Sequence, residues 1–442
     1  MSPGAARGRA AGRETGPVTV DAAMVDAASR RLAGVVSTTP LERNTRLSEA
    51  LGAQVWLKRE DLQTVRSYKV RGAYNLIAQL DDDARAAGVV AASAGNHAQG
   101  VAWACAALGV HGRVYLPRTT PRQKRDRIAV LGGKMTEIVV GGDSYDDAAA
   151  AASADAAASG ATLVPAFDDP RTIAGQGTVA REIIAQLGFA PDVLVFPVGG
   201  GGLLAGAVAW LGQRYPEVRV VGAEPAGAAC VTAALAAGGP VSLAELDTFV
   251  DGAAVRRAGD VTYPLIAASG AQVMTVAEGR VCSEMLALYQ SDGIIAEPAG
   301  ALATAALGPA GAPGRGAAPE AVTVAAGATV VCVVSGGNND VSRYAEVVER
   351  ALIHEGRKHY FLVDFPQEPG ALRRFLDEVL GPDDDITLFE FVKRSNRETG
   401  PALVGIELSR PQDLPALLAR MEQAPPTIER VDASSTLFRF LL

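Results

Sequence analysis

The sequence lacks the patterns of a metalloprotein, a disulfide-stapled protein and a nucleic-acid-binding protein. Its four cysteines, Cys105, Cys230, Cys282 and Cys332, show neither metal-ligand nor disulfide spacing, and no histidine pairs with them. We therefore expect buried free thiols in a reducing cytoplasm and no bound metal. A net charge of -8 provides no concentrated positive field, which argues against a nucleic-acid partner.

Long apolar runs are also missing, so no membrane partner is expected. Residues 1–18 are rich in Gly, Ala and Arg but lack the apolar stretch of a signal peptide, and we interpret them as a disordered leader. A chain of 442 residues exceeds one ordinary core and predicts two or three domains.

Strand and helix signals alternate through most of the remaining sequence, which predicts mostly parallel sheets covered by helices on both faces. The predicted strands are 55–58, 88–92, 113–116, 193–196, 218–223 and 330–334, and the predicted helices between them include 21–36, 67–80, 98–108 and 203–214.

The composition changes after about residue 357, and the order of predicted elements becomes βαββαβ, typical of a ferredoxin-like domain. These elements are strand 359–365, helix 369–380, strands 386–393 and 402–409, helix 412–421 and strand 437–441. Such a unit could serve oligomerisation or stability, or it could bind a small regulatory ligand between strand and helix.

One lysine, Lys69, lies in the run RSYKVRGA at 66–73, beside an aromatic residue at a predicted helix start. In that setting an amine is pushed towards its neutral form, which can attack an aldehyde carbon. Taken alone, Lys69 is more often an ordinary exposed residue.

Four consecutive glycines, in the run PVGGGGL at 197–203, lie between a predicted strand and a helix. Their backbone N–H groups and the helix dipole suit a phosphate monoester. The run is not the spaced-glycine fingerprint of nicotinamide-dependent enzymes, and no Lys-Ser/Thr follows it. The alternative is a tight turn, but ordering four glycines is costly in entropy.

Two further loops follow predicted strands. The run SAGNHAQG at 93–100 offers backbone N–H groups, the Ser93 hydroxyl and the Asn96 amide, which suit a carboxylate or, equally, plain helix capping. Ser335 ends the most apolar strand, where a neutral hydroxyl could bind a heteroaromatic nitrogen or simply belong to a turn.

Together these four features suit an aldehyde cofactor with a phosphate and a ring nitrogen, namely pyridoxal 5′-phosphate, acting on an amino acid. The runs SYKVRGA (67–73), SAGNHAQG (93–100), GGGGL (199–203), EPAGA (297–301) and SGGN (335–338) resemble the signatures of fold-type II enzymes of the threonine/serine dehydratase group. The runs HYFLVDFP (359–366) and PGAL (369–372) resemble the ACT-like regulatory domain of biosynthetic threonine ammonia-lyases. The resemblance extends from about residue 20 to the end.

This resemblance implies an α/β, tryptophan synthase β-like catalytic domain of two open, mostly parallel sheets at 19–350 and one βαββαβ ACT-like domain at 357–442. It implies that Lys69 binds the cofactor and removes the substrate's α-proton, beside Tyr68 where the family commonly has Phe. Asn96 would contact the cofactor's 3′-oxygen and Ser335 its ring nitrogen. The implied phosphate ligands are Gly199, Gly200, Gly201, Gly202 and Leu203, and the implied substrate-carboxylate ligands are Ser93, Ala94, Gly95, Asn96 and His97.

The implied reaction is deamination of L-threonine to 2-oxobutanoate and ammonia, the first step of isoleucine biosynthesis, in a cytoplasmic homo-oligomer, expected as a tetramer, inhibited by isoleucine. A degradative threonine/serine dehydratase or a serine racemase is the alternative enzyme. A catalytically silent amino-acid sensor on the same scaffold is the alternative outside enzymes. The run EPAGAAC at 224–230 offers only the acid Glu224, so no cation site of the kind found in some relatives is expected.

Overall fold

Three β-sheets organise the protein, which is described here by a computed structural model covering residues 19–307, 321–391, 393, 397–424, 427–432 and 435–441. The leader predicted at 1–18 lies outside these residues. The strands, in chain order, are β1 (Leu41–Arg43), β2 (Gln54–Arg59), β3 (Val89–Ala92), β4 (Gly112–Leu116), β5 (Thr136–Val140), β6 (Thr162–Leu163), β7 (Val193–Pro197), β8 (Arg219–Pro225), β9 (Gln272–Val276), β10 (Thr329–Val334), β11 (Lys358–Pro366), β12 (Asp385–Phe391), β13 (Thr399–Glu407) and β14 (Thr427–Arg430).

Helices separate most of these strands. They are α1 (Ala22–Leu32), α2 (Thr45–Leu51), α3 (Lys69–Ile77), α4 (Asp82–Ala87), α5 (Asn96–Leu108), α6 (Arg122–Gly132), α7 (Tyr145–Ser159), α8 (Pro170–Leu187), α9 (Gly202–Arg214), α10 (Cys230–Ala237), α11 (Thr262–Ser269), α12 (Glu278–Gln290), α13 (Pro298–Ala305), α14 (Tyr344–His354), α15 (Ala371–Val379), α16 (Leu414–Gln423) and α17 (Thr436–Leu441).

The largest sheet has six strands in the order β1-β2-β10-β7-β8-β9, all parallel except β1. Strand β10 lies at its centre, with Val330 opposite both Val55 and Val193. Every residue of β10 is buried, because helices cover both faces, and this explains its uninterrupted apolar sequence.

The second sheet is fully parallel, in the order β5-β4-β3-β6. The predicted pair of open, mostly parallel sheets is therefore confirmed. The four cysteines are buried free thiols, as expected. No helix among the described residues is long and apolar enough to cross a membrane.

Glycines bring the central helices into direct backbone contact. A Cβ atom added at Gly175 of α8 would lie 2.6 Å from the carbonyl oxygen of Arg71 on α3. One added at Gly177 would lie 2.6 Å from the carbonyl oxygen of Gly206 on α9. Helix α8 therefore packs tightly between the helix that begins at Lys69 and the helix that follows the four glycines.

The third sheet is antiparallel, in the order β12-β13-β11-β14, and helices α15 and α16 pack against it. The predicted βαββαβ order is confirmed, but the strand predicted at 437–441 is wrong. That segment forms α17, whose Phe438 N–H donates to the Ser435 hydroxyl and whose Phe438 ring packs edge-on against Tyr360. The last strand is β14, and short apolar runs do not by themselves distinguish strand from helix.

Candidate active site

A cavity of about 1110 Å³ opens at the carboxyl ends of the parallel strands, where ligands sit in open α/β sheets. The loops after β3, β7 and β10 meet there, together with the start of α3. The structure places almost all of the predicted site residues on its wall: Tyr68, Lys69, Ser93, Ala94, Gly95, Asn96, His97, Gly199, Gly200, Gly201, Gly202 and Leu203. Ser335 is the exception. It is buried behind the wall, and its hydroxyl donates to the Ala299 carbonyl at 3.1 Å.

The segment before Lys69 is held against the end of β10. The Tyr68 N–H donates to the Ser335 carbonyl at 3.2 Å, and the Gly337 N–H donates to the Arg66 carbonyl at 2.9 Å. Arg66 has φ 56°, the only positive φ of a non-glycine residue within the described ranges. Such a conformation costs of order 1–3 kcal/mol and persists only where its surroundings enforce it. The backbone leading into Lys69 is therefore fixed.

The Lys69 amine is half-buried, donates to the Ala166 carbonyl at 3.0 Å, and lies 5.3 Å from the centre of the Tyr68 ring. Burial lowers the pKa of Lys69 to about 8, and the negative charge of Glu297 offsets part of that effect. At about pH 7 roughly a tenth of this amine is therefore uncharged and nucleophilic, far more than for an ordinary lysine.

The four glycines are required by their neighbours. A Cβ atom at Gly199 would lie 3.0 Å from Ala253, one at Gly200 would collide with the Phe167 ring, one at Gly201 would lie 2.8 Å from Ile266, and one at Gly202 would lie 2.8 Å from Phe167. Gly201 also has φ 92°, in the left-handed region that favours glycine. The loop is thus a close-packed backbone cradle at the N-terminus of α9.

Several backbone N–H groups of this cradle have no hydrogen-bond acceptor among the described residues. The backbone N–H groups from Gly200 to Leu203 donate to no acceptor within the described part of the chain, although these residues are buried. Buried N–H groups at a helix N-terminus require an acceptor, and an anion satisfies several at once. The residues present therefore fit the phosphate group of pyridoxal 5′-phosphate.

A second set of free donors lies at the start of α5. The N–H groups of Asn96, His97 and Ala98 also find no acceptor among the residues described, and Ser93 contributes a hydroxyl nearby. His97 Nε2 donates to the Val164 carbonyl at 2.8 Å, and burial, aided by Lys69, lowers the pKa of His97 to about 4. The imidazole is therefore neutral and structural, which leaves its backbone N–H to meet an anion.

The run EPAGA places a further acid in the site, Glu297, for which the sequence predicts no role. Glu297 is 4% exposed, lines the cavity, and accepts a hydrogen bond from Asn96 Nδ2 at 2.5 Å. Burial, and secondly the charge of Asp251, raises the pKa of Glu297 to about 7. The signal in the sequence is the Glu-Pro pair, with Glu297 as N-cap and Pro298 as first residue of α13.

The acid of the EPAGAAC run lies elsewhere. Glu224 is fully buried and accepts from the N–H groups of Val231 and Thr232, both at 2.8 Å, and from the Thr232 hydroxyl at 2.7 Å. Its carboxylate thus caps α10. Within the described residues, no cluster of three His, Cys, Asp or Glu side chains could hold a metal ion.

Comparison with known proteins gives two family matches. Residues 32–350 match the family of pyridoxal-phosphate dependent enzymes, and residues 349–441 match the C-terminal regulatory domain of threonine dehydratase. The chain is 60% identical to a biosynthetic L-threonine dehydratase of Mycobacterium tuberculosis over 96% of both chains, and 46% identical to that of Bacillus subtilis over 94% of this chain and 96% of the other.

Two solved structures have folds similar to that of this chain. Processed threonine deaminase isoform 2 of Solanum lycopersicum has a TM-score of 0.67 and 35% identity, covering 76% of this chain and 96% of the other. Maize serine racemase also has a TM-score of 0.67, with 28% identity, covering 76% of this chain and 99% of the other.

Proposed function

This chain belongs to the pyridoxal-phosphate dependent enzymes and, within them, to the biosynthetic L-threonine dehydratases, and on that premise we propose that it deaminates L-threonine to 2-oxobutanoate and ammonia. The observation that carries the proposal is a single cavity. It holds the Lys69 amine and two helix N-termini whose N–H groups have no acceptor among the described residues. Two anion sites beside one nucleophilic amine suit a cofactor phosphate and a substrate carboxylate at the same time.

The proposed cofactor contacts follow from these positions. Lys69 would bond to the aldehyde carbon, the loop 199–203 would hold the phosphate, Asn96 would contact the 3′-oxygen and Tyr68 would lie beside the ring. Ser335, which lies behind the wall, would have to turn its hydroxyl from Ala299 towards the ring nitrogen. When bound, pyridoxal 5′-phosphate withdraws electrons from the substrate Cα and acidifies its proton.

The protein's own residues then position the substrate and move the proton. The N–H groups at the start of α5, with Ser93, hold the carboxylate and so fix the Cα–H bond. Lys69, once its amine is free, takes that proton, because burial keeps it partly uncharged near neutral pH. The threonine hydroxyl gains a proton and leaves as water, and the released enamine tautomerises to an imine that a second water molecule hydrolyses to 2-oxobutanoate and ammonia.

The rate of cofactor attachment should follow the titration of Lys69. Its lowered pKa of about 8 means that the neutral, reactive amine dominates above that pH. We expect the rate at which cofactor-free protein binds pyridoxal 5′-phosphate to rise about tenfold between about pH 7 and about pH 9 and then level off. Stopped-flow absorbance measures this rate. A rate still climbing steeply towards pH 10, as for an ordinary lysine, would contradict it.

Substrate assays decide between the enzyme alternatives. We expect 2-oxobutanoate from L-threonine at a higher kcat/KM than pyruvate from L-serine, and inhibition by isoleucine. A degradative dehydratase would ignore isoleucine, and a serine racemase would yield D-serine. A silent sensor would release no product from any of these amino acids.

We place the catalytic domain at 19–350 and the regulatory domain at 357–442, with isoleucine as the effector. Feedback is supported by a continuous path from the cavity. Asn339, on the cavity wall, donates to the Ala296 carbonyl at 3.0 Å and to the Tyr344 hydroxyl at 3.2 Å, at the first residue of α14. Further along α14, Glu349 accepts from Lys358 and Tyr360 of β11. Helix α14 thus joins the cavity wall to the first strand of the regulatory domain.

Removing the Tyr344 hydroxyl should weaken this coupling. One hydrogen bond contributes about 1 kcal/mol, so Tyr344→Phe should raise the isoleucine concentration for half-inhibition about fivefold. The matched control is Tyr289→Phe, which alters the exposed ring that packs 6.0 Å from Tyr344 and should leave the inhibition curve unchanged. Identical curves for Y344F and the parent protein would exclude this route.

The quaternary structure and location complete the proposal. We propose a homotetramer by resemblance to the family, in which the regulatory domains of two subunits pair to complete an effector site, and light scattering of the purified protein tests it. We place the enzyme in the cytoplasm, where its buried thiols remain reduced.

A further inference from the structure

The amide of Asn96 is held from two sides by side chains whose roles the reaction leaves open. Asn338 Nδ2 donates to the Val65 carbonyl at 2.8 Å and to Asn96 Oδ1 at 2.7 Å. On its other side, Asn96 Nδ2 donates to Glu297 Oε1 at 2.5 Å. The three side chains therefore form one chain of hydrogen bonds that starts at a backbone carbonyl.

That starting point determines the direction of the whole chain. A carbonyl oxygen only accepts, so Asn338 must turn its NH₂ group towards Val65. The same NH₂ group also donates to Asn96, whose side-chain oxygen must therefore accept. The NH₂ group of Asn96 is thereby directed to Glu297, whose oxygen accepts it. No reversed arrangement of the two amides satisfies all of these contacts.

One N–H bond of the Asn96 amide has no acceptor among the described residues. The NH₂ group of Asn96 has two N–H bonds, and only one finds an acceptor, Glu297, among the residues that the structure describes. Asn96 and Glu297 both line the cavity. Gly252 and Gly336 leave room for this pair: a Cβ atom at Gly336 would collide with Glu297 Oε1 and lie 3.2 Å from Asn96 Nδ2. The Asn96–Glu297 contact therefore depends on the absence of side chains at these two glycines.

We propose that Glu297 and Asn338 are positioning residues that fix Asn96 as a hydrogen-bond donor towards the 3′-oxygen of the bound cofactor. A fixed donor favours the deprotonated, anionic form of that oxygen, whereas a freely rotating amide could equally present its own oxygen. The inference rests on the proposed function only in taking pyridoxal 5′-phosphate as the ligand and Asn96 as the residue at its 3′-oxygen.

The charged and titratable groups around this contact set the background for any pH measurement. Besides Glu297, the wall carries Tyr68, Lys69, His97, Asp251 and Lys124, the last two joined by a salt bridge of 2.6 Å. Substitutions that alter the hydrogen-bond direction must therefore be compared with one that adds the same charge at nearly the same place without touching Asn96.

The test is the pH titration of the visible absorbance of cofactor-bound protein, which requires no substrate. Asn338→Asp offers only acceptors, so it cannot bond Val65, and Asn96 turns its NH₂ group towards the new carboxylate. Loss of a donor to an anionic oxygen raises the pKa of that oxygen, so the midpoint should rise by about one to two pH units. Cofactor affinity, from equilibrium dialysis, should fall about tenfold or more.

Asn339→Asp is the matched control. It adds the same charge one residue away, at a side chain bonded to Ala296 and Tyr344 rather than to Asn96, and should leave the midpoint within a few tenths of a pH unit. A second pair of variants separates orientation from folding. Glu297→Gln retains an oxygen that accepts from Asn96 and should keep the parent midpoint. Glu297→Leu removes that acceptor and leaves Asn96 held by Asn338 alone, so it should shift the midpoint in the same direction as N338D but by less.

Midpoints that agree among the parent protein, N338D and E297L would overturn the inference, as would equal shifts in N338D and N339D. If N338D does not retain cofactor, the contrast between E297Q and E297L decides alone. A parent protein that binds the cofactor but yields no 2-oxobutanoate would contradict the proposed reaction while leaving this titration readable, so the two failures are distinguishable.

Discussion

Replacing Lys69 by alanine should abolish both the visible absorbance of the bound cofactor and the release of 2-oxobutanoate. The Lys69 amine lies on the cavity wall with its pKa lowered by burial to about 8, and the proposed function makes it the nucleophile. Loss of the base alone costs a factor of about 100 to 10,000, and loss of the covalent attachment adds to it. We therefore expect kcat/KM to fall at least about 1000-fold, measured from 2-oxobutanoate formation at saturating cofactor.

Lys124→Ala is the matched control, because Lys124 lines the same cavity but forms a salt bridge with Asp251 at 2.6 Å. The K124A protein should retain the absorbance of bound cofactor. Borohydride reduction followed by peptide mass spectrometry should find the cofactor on Lys69 in the parent protein and in K124A. Cofactor attached elsewhere in an active K69A protein would refute the role given to Lys69.

Of the substitutions proposed, Arg71→Met should lower the free energy of unfolding most. Arg71 lies two residues after Lys69, is 1% exposed, and bonds Glu60 at 2.7 and 2.8 Å and Glu182 at 2.9 Å. Breaking a buried ion pair leaves an uncompensated charge and costs about 3–5 kcal/mol. We expect a lower urea midpoint with an unchanged slope and weaker retention of cofactor, because α3 loses its main polar anchor.

The stability of the R71M protein should also depend on pH in a definite direction. Burial alone would raise the pKa of Glu60, but Arg71 outweighs it and holds that pKa below its ordinary value. A depressed pKa contributes stability that is present above the unfolded-state pKa and is lost as the pH falls. The R71M protein should therefore lose its stability at higher pH than the parent. The control Arg122→Met removes an exposed pair with Asp126 and should change neither measurement.

Local sequence patterns predicted the parts of the site that lie on continuous segments. Lys69, the loop 93–97 and the loop 199–203 each follow a strand or begin a helix, and parallel strands bring such ends to one edge of a sheet. The unspent N–H groups at the starts of α5 and α9 could therefore be anticipated from glycine, serine and asparagine at those positions.

Contacts between distant segments could not be predicted in the same way. The bonds from Asn96 to Glu297 and Asn338 span 201 and 242 residues, and no local pattern indicates them. Helix α8 is not among the predicted elements, although Asp169 and Pro170 form a start signal. Its glycines weaken the helical pattern, which tertiary packing then stabilises. The segment 437–441 is short and apolar, so its environment rather than its sequence decides that it is helical.

The most direct test of the whole account is the stoichiometry of product release from L-threonine. The purified protein, freed of cofactor and then reconstituted with pyridoxal 5′-phosphate, should release 2-oxobutanoate and ammonia in equal amounts. The cofactor-free protein and the reconstituted K69A protein should release neither. Equal product without the cofactor, or no product from protein whose absorbance shows the cofactor bound, would contradict the account.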